Sequence, residues 1–124
     1  MLKTTTSIAI VDDDPSVLRA LARLLRTSSR DAKTYGSARE FLDSLQDGVP
    51  MCLIADLQMP EMTGLDLQYH LKRHGIQIPT IIVTAHNEVA TRQLCTDAGA
   101  HAYLLKPLQG SALIAAIDAA IGGA

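Results

Sequence analysis

Five short apolar runs, each separated from the next by an amphipathic stretch, constrain the fold of this chain more than any other feature. They are SIAIV at 7–11, DAKTY at 31–35, MCLIA at 51–55, TIIVT at 80–84 and HAYLL at 101–105. Three are continuously apolar through their centres, as strands covered on both faces should be, and the second is the weakest.

The stretches between them carry helical periodicity. Val17, Leu18, Leu21, Leu24 and Leu25 share one helical face, Pro15 suits the first turn, and Asp14 is a helix-start residue. SARE at 37–40 has capping-box spacing, with Ser37 as N-cap and Glu40 reaching back, followed by a buried stripe of Ala38, Phe41, Leu42 and Leu45. A third helix runs through LDLQYHLKRH to Gly75, with Pro79 beyond it. A fourth spans Asn87 to Gly99 with Ala90, Leu94, Cys95 and Ala98 inward, and Leu113, Ile114, Ile117 and Ile121 define a fifth that closes at Gly122. Strands alternating with helices predict a doubly wound α/β fold, because parallel strands joined by right-handed crossovers need a helix in each connection. The specific expectation is a (βα)5 three-layer sandwich of flavodoxin-like type with sheet order 2-1-3-4-5.

The polar residues collect just past the strands. Asp12 and Asp13 follow the first, Asp56 the third and Lys106 the fifth, while the fourth ends on Thr84. The second delivers only Gly36. In an open sheet the ligand crevice lies beyond the carboxyl ends of the strands where strand order reverses, here between strands one and three, and strand two is remote from it. The three aspartates should therefore meet. Two like charges about 4 Å apart repel by about 4 kcal/mol at an effective dielectric near 20, so the cluster requires a cation. Lys106 supplies one charge, and an oxygen-rich site suits Mg²⁺ better than zinc. An aspartate beside such an ion, with a lysine and a hydroxyl opposite, has the parts to accept a phosphoryl group as an acyl phosphate. Taken singly, each residue also has a plain reading as a turn former or a helix start.

Bulk properties narrow the class. The chain has 124 residues, 48% of them hydrophobic, which suits one domain spanning 1–124. Its 11 basic and 13 acidic residues intermingle with a net charge of -2, which argues against direct nucleic-acid contact. No run approaches the ~18 apolar residues of a membrane span and no signal peptide is evident, so a cytoplasmic location is expected. Cys52 and Cys95 lie within apolar patterns and read as buried thiols. His70, His74 and His101 read as surface residues without ligand spacing.

The segments IAIVDDDP, LIADLQMPEMTGLDL, TIIVTA and YLLKPL, in this order, resemble a response-regulator receiver domain of bacterial two-component signalling, over residues 7–121. The resemblance implies that Asp56 is the phosphoacceptor, charged by a sensor histidine kinase or phosphotransfer protein. It implies Mg²⁺ held by Asp12, Asp13, Asp56 and the Gln58 carbonyl, with Lys106 on the phosphoryl oxygens and Thr84 as switch hydroxyl. It further implies a cis Lys106–Pro107 peptide, an aromatic switch at Tyr103 on strand five, and signal lifetimes tuned by Gln58 and His86. Such a domain is a regulatory switch with only self-phosphorylation and autodephosphorylation chemistry, remodelling its helix 4, strand 5 and helix 5 surface to control an output partner or domain.

One departure bears on assembly. The fifth helix presents Ala112, Ala115, Ala116, Ala119 and Ala120 away from its isoleucine stripe and has Asp118 as its one charge, which makes dimerisation through charged pairs there doubtful. The expectation is a monomer or a weak phosphorylation-dependent dimer. A Mg²⁺-dependent phosphatase is the enzymic alternative, but its second aspartate would fall at Gln58, which cannot serve as a general acid. An inactive docking adaptor is opposed by the complete set of Asp12, Asp13, Asp56, Thr84 and Lys106.

Overall fold

A computed structural model of the chain describes residues 3–122, so the ends of the expected 1–124 domain, including the last two residues of the terminal GGA, lie outside the described residues. The elements are β1 (Ile8–Val11), α1 (Pro15–Thr27), β2 (Ala32–Tyr35), α2 (Ala38–Ser44) with a 3-10 turn at Leu45–Asp47, β3 (Cys52–Asp56), α3 (Gly64–Arg73), β4 (Thr80–Thr84), α4 (Val89–Asp97), β5 (Ala102–Leu105) and α5 (Gly110–Ile121). The strands form one parallel sheet in the order β2-β1-β3-β4-β5, as expected. No helix among the described residues is long and apolar enough to cross a membrane.

The unbroken apolar runs make sense because each strand feeds two cores at once, its side chains alternating with a period of two. Ala9, Val11, Leu53, Ala55 and Ile82 pack with Phe41, Leu67, Leu71 and Cys95 on the α2, α3 and α4 side. Ile8, Ile10, Cys52, Ile54, Ile81 and Val83 pack with Leu21, Leu25, Leu113 and Ile117 on the α1 and α5 side. Leu25 is fully buried, and truncating such a leucine to alanine costs about 2–5 kcal/mol. β2 is the weak strand for a physical reason: at the sheet edge its Lys33 and Thr34 face solvent.

Helix starts follow the cap chemistry. Asp14 caps α1, accepting the backbone N–H of Ser16 at 2.9 Å, with Pro15 in the first turn. Ser37 accepts the Glu40 N–H at 3.1 Å, but the Glu40 carboxylate takes the N–H of Gly36 instead of that of Ser37, one residue beyond the reciprocal bond expected. A full capping box joins Thr63 and Asp66 at the start of α3. Beyond the α3 C-terminus Gly75 adopts φ 68°, the left-handed turn that glycine enters without steric cost.

Two helical faces differ from expectation. In α4, Cys95 and Ala98 are buried, whereas Ala90 and Leu94 are exposed. The inward stripe is Thr91, Cys95 and Ala98 at i, i+4 and i+7, about 100° round the helix from the Ala90–Leu94 line. In α5 the inward line is Leu113, Ile117 and Ala120, so Ala120 is core and Ala116 is half-buried, leaving Ala112, Ala115 and Ala119 outside. Asp118 does not stand alone there, because it forms an ion pair with Arg30 beyond α1.

Candidate functional site

Strand register assembles the site. Val11 lies opposite Ala55 and Asp56 opposite Val83, while Thr84 lies opposite Leu105, so Asp12, Asp56, Thr84 and Lys106 all emerge at one edge of the sheet. Carboxylate oxygens of Asp12, Asp13 and Asp56 lie within 4.8 Å of one another. Asp12 and Asp56 are buried, and Asp13 is exposed. Lys106 reaches across from the end of β5, its Nζ donating to Asp12 Oδ2 at 3.0 Å and lying 3.5 Å from Asp56 Oδ1. The Asp14 N–H holds the other Asp12 oxygen at 2.9 Å, fixing that carboxylate in place.

The electrostatics follow from this crowding. Burial, and then the neighbouring Asp12 charge, raise the Asp56 pKa, with Lys106 opposing both. Burial pulls the Lys106 ammonium downward, but Asp12 and Asp56 outweigh it and the net shift is upward. The lysine therefore stays protonated. Its single charge still faces three carboxylates, so a further cation is accommodated. The donor set is all oxygen and hard, with one exposed member on the solvent side where water can complete a shell, which fits Mg²⁺.

The remaining expected residues fall around this centre. Thr84 is fully buried, its Oγ1 accepting the His86 N–H at 3.1 Å and its carbonyl accepting the Lys106 N–H at 2.8 Å. The Tyr103 hydroxyl donates to the His86 carbonyl at 3.1 Å, while its ring packs against the α4-side core and lies 5.7 Å from the Arg92 guanidinium. Thr84, His86 and Tyr103 thus form one hydrogen-bonded chain. The side chains of Gln58 and His86 are exposed. The Lys106–Pro107 peptide is cis.

One contributor escaped the sequence reading. A side chain on Gly64 would place its Cβ 2.6 Å from the Asp56 carbonyl oxygen, so only glycine lets α3 start this close to the β3 end. The Gly64 N–H also donates to the Leu57 carbonyl at 3.0 Å. The signal available was the T-x-x-D cap of Thr63 and Asp66 with a glycine in its first turn. His101 is exposed, whereas the rings of His70 and His74 stack with centroids 4.2 Å apart, so these two are neighbours and not independent surface residues.

The comparisons with known proteins agree with this geometry. The response regulator receiver domain family matches residues 8–118. The response regulator protein TodT of Pseudomonas putida is 40% identical over 114 residues, covering 92% of this chain and 50% of that protein. Nodulation protein W of Bradyrhizobium diazoefficiens is 36% identical over 117 residues, covering 94% of this chain and 52% of its own length. The chain thus spans about half the length of the curated relatives it matches. Among solved structures, the crystal structure of FixJ-N superposes with a TM-score of 0.88 at 32% identity, over 98% of this chain and 97% of that one. A response regulator receiver protein from Burkholderia phymatum gives 0.83 at 40% identity, over 95% and 96%. With the acidic cluster, the bridging lysine and the strand order all in place, the chain belongs to the response regulator receiver domain family of two-component systems.

Proposed function

We propose that residues 1–124 form a phosphorylation-activated switch in which Asp56 accepts a phosphoryl group from a phosphohistidine on a sensor histidine kinase or phosphotransfer protein. The observation that carries this reading is the Lys106 ammonium shared between Asp12 and Asp56, with Asp13 within ligand reach. Asp56 attacks phosphorus in line, the new O–P bond forms as the P–N bond breaks, and the imidazole nitrogen takes up the leaving electron pair and a proton. Lys106 donates to the phosphoryl oxygens as charge develops on them. Asp12, Asp13, Asp56 and the Gln58 carbonyl hold Mg²⁺, which when bound supplies further positive charge to those oxygens. The chemistry is self-phosphorylation and slow hydrolysis, not turnover of a separate substrate. Gln58 and His86, exposed two residues beyond Asp56 and Thr84, set how readily water reaches the acyl phosphate.

The switch follows from the hydrogen-bonded chain. Turning the Thr84 hydroxyl toward a phosphoryl oxygen withdraws its acceptor from the His86 N–H, and His86 in turn holds the Tyr103 hydroxyl. Moving Thr84 thereby reorients Tyr103 and remodels the α4, β5 and α5 surface, where Val89, Leu94 and Leu105 are exposed. Carrying such an equilibrium from 1:99 to 99:1 takes about 5.5 kcal/mol of differential stabilisation. The remodelled face controls an output domain or downstream protein. A relative 35% identical to this chain is named transcriptional regulatory protein FixJ, which supports a transcriptional output outside the present sequence. This chain itself contacts neither nucleic acid nor membrane, works in the cytoplasm, and is a monomer or a weak phosphorylation-dependent dimer.

Incubation with Mg²⁺ and acetyl phosphate, followed by intact-mass measurement, tests the reading. Wild-type protein gains the mass of one phosphoryl group and Asp56→Asn gains none. Absence of the adduct, or an undiminished adduct on the Asn variant, refutes it.

A further inference from the structure

The C-terminal turn of α3 carries two histidines that the phosphoacceptor site leaves unused. His70 and His74 stand at i and i+4, the helical spacing at which side chains become neighbours. Their rings stack with centroids 4.2 Å apart and planes inclined by 21°. His74 Nδ1 lies 2.8 Å from the His70 carbonyl oxygen, where only a protonated Nδ1 can make a hydrogen bond. That bond fixes the tautomer and leaves His74 Nε2 with a free lone pair, the arrangement by which protein imidazoles are oriented as metal ligands.

We propose that His70 and His74 form a two-nitrogen chelate for an imidazole-preferring divalent transition ion such as Zn²⁺ or Ni²⁺, its remaining positions filled by water. The site is distinct from the acidic cluster, which lies at the opposite end of α3. That helix has 10 residues and so is about 15 Å long. Burial, then the His74 and Arg73 charges, lower the His70 pKa, which favours the neutral form that ligates. The charged groups on the same part of the helix are Lys72 and Arg73 in the last turn and Asp66 a turn before His70. The two cations oppose an incoming metal, whereas the carbonyl end of the helix dipole favours it. With metal–nitrogen bonds near 2.0–2.1 Å the two donors must approach to about 3 Å, which rotation of the exposed His74 ring toward the half-buried His70 allows. Buried Cys52 and Cys95 do not compete for the ion.

Isothermal titration with Zn²⁺, and separately with Ni²⁺, in saturating Mg²⁺ tests the proposal on the 124-residue protein. The expected result is one saturable binding event per chain that persists in Asp56→Asn and disappears in both His70→Gln and His74→Gln. Zn²⁺ should also raise the melting temperature of wild type and of neither histidine variant, because it binds only the folded helix. His70→Gln keeps the bond from His74 Nδ1 to the backbone, so loss of binding in that variant separates ligation from helix capping. Binding unchanged in both histidine variants, no saturable binding in wild type, or binding lost in Asp56→Asn would each overturn the assignment.

Discussion

Gly64→Ala tests how tightly α3 is seated on the end of β3 that carries Asp56. The added Cβ would lie 2.6 Å from the Asp56 carbonyl oxygen and 3.2 Å from the Asp56 carbonyl carbon and the Leu57 Cα. Ordinary contact begins near 3.4 Å, so the backbone must yield by about 0.8 Å against atoms that are main chain and cannot swing aside. Overpacking of this kind costs about 1–3 kcal/mol, which for a domain of this size lowers the melting temperature by roughly 3–15 °C. Because the yielding residue is Asp56 itself, the carboxylate moves with it. A displacement near 1 Å reduces the rate of a positioned reaction by about 10²-fold. The rate is read from intact-mass time courses with Mg²⁺ and acetyl phosphate, and stability from thermal denaturation by circular dichroism. Gly75→Ala is the control: its φ of 68° penalises alanine by about 1–2 kcal/mol, but no atom lies within 4 Å of the new Cβ and the site is remote. It should lower the melting temperature and leave the phosphorylation rate intact. A Gly64→Ala protein that phosphorylates at the wild-type rate refutes the reasoning.

Three further outcomes are expected. The Asp56 pKa is raised by folding, so ionisation opposes the folded state as pH climbs from the unfolded to the folded pKa; Asp56→Asn in Mg²⁺-free neutral buffer should therefore melt higher than wild type, and a lower melting temperature contradicts this. Burial pushes the Cys52 thiol up to about 11, leaving on the order of 10⁻³ of it as thiolate at pH 8, so a thiol-reactive chromogen should label both cysteines only after denaturation, and rapid labelling of the native protein would show the packing to be wrong. Asp14→Ala removes the α1 cap and should cost about 1 kcal/mol in urea denaturation, while Mg²⁺ titration monitored by NMR still shows binding at the acidic cluster.

The architecture and the centre of the site were legible because both rest on local rules. Apolar runs of strand length give the sheet, and acidic, hydroxyl and amino groups at the strand ends converge once that sheet is parallel. What stayed illegible depends on the third dimension. Leu94 is as apolar as a core residue, and only the docking angle of α4 turns it outward in favour of Thr91, Cys95 and Ala98. Ala120 is too small to announce itself as core. Glu40 had two neighbouring N–H groups within reach, and a local pattern does not choose between Gly36 and Ser37. Gly64 carries no side chain to read, and its importance lies in what surrounds it. The partnership of His70 and His74 needed ring orientations that spacing alone does not supply.

The narrow footing of α4 has a further consequence. Cys95 is its one buried residue, joined by Ala98 at the C-cap, and most of its other side chains face water. Substitutions across that outer surface leave the interior untouched, so the sequence of this helix can vary widely while the acidic cluster at the carboxyl ends of β1 and β3 keeps its geometry.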